Sequence, residues 1–194
     1  FKTRDGNAAG LLDIIEMVGE AVRRRCAEAG KKLDDDTIES IALAALKFTD
    51  LMHDVKSDYI FDPAAVTSFE GRTGPYILYT AVRLNSVLRR AGNECTTAPA
   101  MPANLAADER NLIIELLDFE RTVRSAFDNR ATDQLANYAY DLCQLINTFY
   151  HNCPILRDDV DPQTRCARLY IARAAQTTLS TVISLMGLRI PNEM

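Results

Sequence analysis

The sequence is poor in the features that announce catalysis or a membrane. No apolar run among its 194 residues reaches membrane-spanning length, because charge interrupts each apolar stretch within a few positions. No secretory signal is visible. There are two histidines, His53 and His151, and no Ser/His/Asp set, P-loop or G-x-G-x-x-G phosphate cradle. The five cysteines (Cys26, Cys95, Cys143, Cys153 and Cys166) are odd in number and have no C-x-x-C spacing. That predicts reduced thiols in a cytosolic-type compartment and argues against zinc. Cys153 lies near His151, but two residues do not make a metal site, and both read as half-buried structural residues.

Positive charge is also in short supply. The net charge is −5; residues 1–70 hold 9 Lys+Arg against 14 Asp+Glu, and residues 71–194 hold 13 of each. All 13 cations in the second part are Arg. Arg forks phosphates and stacks on bases better than Lys does, but genome composition explains the bias at least as well. Charge alone does not announce nucleic-acid binding.

What is present is a globular composition, 47% hydrophobic and 25% charged, in a chain long enough for one large or two small domains. Nearly all of it has helical periodicity. Residues 1–9 are polar and loop-like. Over 11–29, Leu11, Ile15, Val18, Val22 and Cys26 form one stripe, which Gly30 ends. Asp36, with Glu39 three residues on, reads as the N-cap of a second helix, with Ile38, Ile41, Ala45, Phe48 and Met52 inside. Residues 54–75 are irregular, with a possible helical turn before Phe69. Pro75 then sits in the first turn of a third long helix, which runs to about Ala91.

Residues 92–107 contain Gly92, Pro99 and Pro102 and read as a linker, the best candidate boundary between subdomains. Asp108 opens a helix with Leu112, Leu116, Phe119, Val123 and Phe127 inward and a break near Asp118–Glu120. Over 132–151, Leu135, Tyr138, Leu142, Ile146 and Phe149 face inward. Asp161-Pro162 caps a last helix with Ala172, Ala175, Leu179, Ile183 and Met186 inside. The reading is an all-α helical bundle.

Within the third long helix, Ile77, Ala81, Leu84 and Leu88 make a narrow stripe. Tyr76, Tyr79 and Arg83 make a second ridge, roughly 120° around the axis. Such a ridge can serve as a stacking platform for splayed RNA bases. Spacing alone favours packing of both tyrosines on a neighbouring helix with their hydroxyls satisfied. Tyr150 lies at the edge of its own helix's buried stripe, with Asn147 further toward solvent.

The segment from Phe69-Glu70-Gly71-Arg72-Thr73-Gly74-Pro75 to Tyr76-Ile77-Leu78-Tyr79, led by Asp58-Tyr59-Ile60-Phe61-Asp62, resembles a signature of arginyl-tRNA synthetases. Four further stretches resemble the same family in order. Phe1-Lys2-Thr3-Arg4-Asp5-Gly6-Asn7 is similar to its mobile ATP loop. Ala136-Asn137-Tyr138-Ala139-Tyr140-Asp141-Leu142 and Asn147-Thr148-Phe149-Tyr150 are similar to its anticodon-binding helix. Met186-Gly187-Leu188, with Pro191-Asn192-Glu193-Met194, is similar to its carboxy terminus. The sequence departs from the signature at Leu78, where the family has Gln, and at Thr80-Ala81, where it has Ala-His.

The resemblance implies a class I synthetase anticodon-binding domain over 71–194. It implies that 1–70 is a remnant of the catalytic domain with connecting helices. The His-x-Gly-His nucleotide motif is absent, so the chain is expected to be a fragment inactive alone, its catalytic domain upstream. Lys2 and Arg4 would stabilise the pyrophosphate leaving group in the parent enzyme, which uses ATP with Mg; no cofactor or metal is expected in this chain itself. The resemblance turns the reading of Tyr76, Tyr79 and Arg83 toward RNA contact and adds Asn147, Tyr150 and Met194. The expected partners are the anticodon loop of arginine tRNAs and the upstream catalytic domain, in the cytoplasm and without a membrane. Two alternatives stand beside this: a helical protein-interaction module, and the same domain of a synthetase for another amino acid.

Overall fold

The computed structural model describes residues 10–194 apart from 55, 96, 100, 101 and 103. Lys2 and Arg4 therefore lie outside the described residues. Eight helices and no strand occur among the described residues: α1 (Leu11–Glu28), α2 (Asp35–Leu51), α3 (Pro63–Val66), α4 (Gly74–Ala91), α5 (Ala107–Leu117), α6 (Phe119–Asn129), α7 (Thr132–Asn152) and α8 (Pro162–Leu185). None is long and apolar enough to cross a membrane.

Local chemistry sets the ends. The Asp34 carboxylate accepts from the Thr37 N–H at 2.7 Å, so the cap of α2 lies two residues before the expected Asp36. Asp34 has the extended backbone that a cap requires, whereas Asp36 is already in the first turn. Thr73 caps α4 by accepting from the Tyr76 N–H at 3.2 Å, with Pro75 in the first turn. Asp161 accepts from the Gln163 and Thr164 N–H groups to open α8. The expected break near Asp118 is real: α5 stops at Leu117 and α6 restarts at Phe119.

One buried cluster runs from Val18 on α1 to Leu188 after α8 and takes side chains from α1–α5, α7 and α8. The α2–α4 contact is close enough to depend on a missing side chain. A Cβ on Gly74 would sit 2.1 Å from the Ala44 carbonyl oxygen. Glycine thus lets the start of α4 lie directly on the α2 backbone.

Two expected core positions are outside. Leu11 is 72% exposed, because α1 buries only its later turns, at Val18, Ala21, Val22 and Cys26. Phe127 is 82% exposed; past the Asp118 break, Ala126 is the buried residue of α6.

The expectation of reduced thiols fails at one pair. Cys95 and Cys166 are joined, with Cα atoms 5.2 Å apart, whereas Cys26, Cys143 and Cys153 are free and buried. Odd count and spacing could not show that the segment after α4 lies against α8. Arg173 holds it there, donating to the carbonyls of Cys95 (2.7 Å) and Gly92 (3.3 Å), while Arg165 pairs with Glu94 at 3.0 Å.

A second anchor was not foreseen. Arg168 Nε meets Glu109 Oε1 at 2.6 Å, with side chains only 16% and 5% exposed. The other Glu109 oxygen accepts from the Ala106 N–H at 2.8 Å, and Arg168 also donates to the Pro154 carbonyl at 2.7 Å. A desolvated pair of this kind is tolerated when its remaining donors and acceptors are also satisfied. It ties α5, α8 and the turn after α7 together.

Candidate nucleic-acid interface

Helices α4 and α7 lie side by side and run in the same direction. Tyr76 meets Tyr140, and Arg83 meets both Asn147 and Tyr150, so positions advance together along the two helices. All three ridge residues of α4 are partly buried rather than free in solvent, because α7 occupies one side of the ridge.

Asn147 is the hub. Its amide donates to the Tyr76 hydroxyl and to the Thr80 hydroxyl, each at 2.9 Å, and its oxygen accepts from Arg83 Nη1 at 3.0 Å. It is half-buried rather than pointing freely to water. Thr80 is fully buried and satisfied, since its hydroxyl also donates to the Tyr76 carbonyl at 3.0 Å. Thr80 and the fully buried Leu78 are positions where the sequence departs from the synthetase signature. Here one serves the hub and the other the core.

The Arg83 guanidinium is held between rings. Its carbon lies 4.6 Å from the centroid of Tyr79 and 5.4 Å from that of Tyr150, and Nη2 donates to the Tyr79 hydroxyl at 2.8 Å. Two of its five N–H groups bond to Asn147 and Tyr79; the others can meet a phosphate or water. Cation–π contacts of this sort fix an arginine without neutralising it. Burial pushes the Tyr76 phenol above its ordinary value, partly opposed by the Asn147 bond, so it is neutral at ordinary pH.

The expected site residues come together. Tyr76, Tyr79, Arg83, Asn147 and Tyr150 form one connected patch, and Tyr150 is 39% exposed. Met194 joins through Lys31, whose Nζ donates to the Met194 carbonyl at 2.7 Å and lies 6.0 Å from the Tyr79 centroid. Sequence reasoning missed Lys31, Thr80, Arg72 and Tyr140. Arg72 lies 4.9 Å over the Tyr140 ring, and Tyr140 is 5.8 Å from Tyr76. Tyr140 stands seven residues before Asn147, on the same helical face, a signal that was available. No cluster of His, Cys, Asp or Glu that could hold a metal occurs among the described residues.

The fold and this seam define a class first: a helical-bundle domain with an aromatic–guanidinium groove between two parallel helices. The chain belongs to the DALR anticodon binding domain family, whose model matches residues 77–194, more than half of the sequence. An arginine–tRNA ligase of Maricaulis maris is 38% identical over 200 residues, and one of Alkaliphilus oremlandii is 35% identical over 199. Both alignments cover all of this chain but 34% of the relative, so the chain spans about a third of their length. Among solved structures, Thermus thermophilus arginyl-tRNA synthetase superposes with a TM-score of 0.88 at 30% identity, over 96% of this chain and 32% of that one. The Plasmodium falciparum enzyme shares the fold with a TM-score of 0.82 at 24% identity, over 96% and 34%.

Proposed function

We propose that the α4–α7 seam binds the anticodon loop of arginine tRNAs, and that the chain is the RNA-reading part of an arginine–tRNA ligase. The observation that carries the reading is the Arg83 guanidinium, held between Tyr79 and Tyr150 and oriented by Asn147. It offers a fixed cation beside aromatic surface, which unstacked loop nucleotides need. Lys31 holds the Met194 carbonyl and lies near the Tyr79 ring, and a methionine side chain is flexible and polarizable enough to fill space beside an unstacked base.

In the whole enzyme an upstream catalytic domain uses ATP with Mg, and Lys2 and Arg4 belong to its ATP loop. The whole enzyme works in the cytoplasm; the Cys95–Cys166 bond is the observation that pulls against that placement.

The test is titration of fluorescently labelled anticodon stem-loop RNA with the 194-residue chain. Binding should weaken as salt rises. Tyr76→Ala and Tyr150→Ala should each cost about 1–3 kcal/mol, one stacking interaction. The chain alone should charge no tRNA in the presence of ATP and arginine. Affinity unchanged in both variants would remove these residues from the interface.

A protein-interaction reading keeps one supporting observation: Leu11, Leu12 and Met17 on α1 are 72%, 79% and 45% exposed. Indifference to RNA together with tight self-association would favour it.

A further inference from the structure

We infer that the α4–α7 seam is a continuous track for single-stranded RNA, extending past Tyr76 at one end and past Tyr150 at the other. This rests on the RNA-binding reading and adds two seats to it. The first is Arg72 stacked on Tyr140. The second is a cleft at the far ends of the two helices, with Arg90 at its rim.

The register of the helices supplies the length. Because α4 and α7 run parallel, the line of contact between them continues from the Tyr76–Tyr140 pair, through the Asn147 bonds, to the cleft shared by Val87, Tyr150 and Pro154. From Tyr76 to Arg90 the rise is about 21 Å. At about 3.4 Å per stacked nucleotide, that is room for roughly six nucleotides, fewer if splayed. The five residues treated so far reach from Tyr76 to Tyr150; Arg72 lies before the first, and Arg90 stands with Tyr150 at the far cleft.

The charge along α4 agrees. The helix contains Arg83, Arg89 and Arg90 and no acidic residue, although the whole chain is net negative. Arg72, just before it, is exposed, and one face of its guanidinium covers the Tyr140 ring. The other face is a plane on which a base can stack.

At the opposite end the cleft is a partly open groove of about 400 Å³. Ile155, 6% exposed, gives it an apolar floor, and Tyr150 gives it an aromatic wall. Arg90, His151 and Arg157 stand around it. Arg157 is paired with Asp159, whereas Arg90 holds no ion pair among the described residues. Arg90 is therefore the cation free to take a backbone phosphate while a base enters the apolar part.

The experiment is a salt series of fluorescence anisotropy titrations with labelled anticodon stem-loop RNA. It compares the 194-residue chain with Arg72→Gln, Arg90→Gln, Arg157→Gln and Tyr150→Ala, each checked for folding by circular dichroism. Arg90→Gln should flatten the slope of log affinity against log salt by about 0.7, the share of one phosphate on a single strand. Arg72→Gln should weaken binding about fivefold or more, the lower end of one stacking contact. Arg157→Gln should do less than Arg90→Gln. Tyr150→Ala should weaken binding and leave the slope unchanged. If Tyr150→Ala weakens binding but Arg72→Gln and Arg90→Gln stay within about twofold with unchanged slopes, the track is overturned and the RNA-binding reading stands. A response at one end alone also overturns continuity. Absence of any binding by the unmodified chain overturns both readings.

Discussion

Removing the Glu109 carboxylate should loosen the end of the molecule on which the cleft is built. In Glu109→Ala, Arg168 loses its partner at 2.6 Å in a site where its side chain is 16% exposed. Leaving one member of a buried pair uncompensated costs about 3–5 kcal/mol. The residual exposure of Arg168 and its bond to the Pro154 carbonyl place the expected cost at the lower end. The same substitution also leaves the Ala106 N–H, at the start of α5, without its acceptor. Loss of such a terminal bond adds about 0.5–1 kcal/mol.

The sum is roughly 4 kcal/mol. At about 2–4 °C per kcal/mol for a chain of this size, the melting temperature should fall by roughly 8–16 °C. Thermal unfolding followed by far-ultraviolet circular dichroism reads it directly. Glu109→Ala with Arg168→Met should recover part of the loss, because the stranded charge is gone. A fall of less than about 3 °C, or a double variant no more stable than the additive sum, would refute the assignment of this pair as a buried anchor.

Gly74→Ala places a methyl group 2.1 Å from the Ala44 carbonyl oxygen. Backbone cannot yield as a side chain can, so α4 must shift, at a cost of about 1–3 kcal/mol or more, measurable by urea denaturation. Cys95→Ser opens a link spanning 71 residues of sequence separation. It should lower stability by about 2–4 kcal/mol, and a reducing agent should mimic it; a melting temperature indifferent to reductant would show that the pair does not form. Hydrogen bonding from Thr164, followed by the Gln163 N–H, holds the Asp161 carboxyl below its ordinary value. Its stabilising contribution is complete above the unfolded value of about 3.9 and is lost as pH falls through the lower folded value. Asp161→Asn should therefore flatten the acid limb of a stability–pH profile; an unchanged limb would mean that the cap carries no linkage.

Much of the architecture is local and was legible. The stripe of Ala172, Ala175, Leu179, Ile183 and Met186 is buried throughout, because a helix repeats its inward face every few residues whatever it packs against. Thr73 with Pro75, and Asp161 with Pro162, marked helix starts by chemistry confined to one turn. Tyr76, Tyr79 and Arg83 could be placed on one ridge for the same reason. The seam itself was not local. Arg83 and Asn147 are 64 positions apart, and periodicity cannot say which helix will lie beside which.

Long-range packing decided the rest. It made Asn147 a three-bond hub instead of a surface amide, and it laid Arg72 over Tyr140. It also paired Arg168 with Glu109 and brought Cys95 to Cys166. Leu11 and Phe127 show the same division from the other side, since each fits an apolar stripe in the sequence yet is exposed in the fold. By itself the sequence determined which residues share a helical face. Only the tertiary structure decided what each face meets, because that depends on where distant segments come to rest and not on the spacing within any one of them.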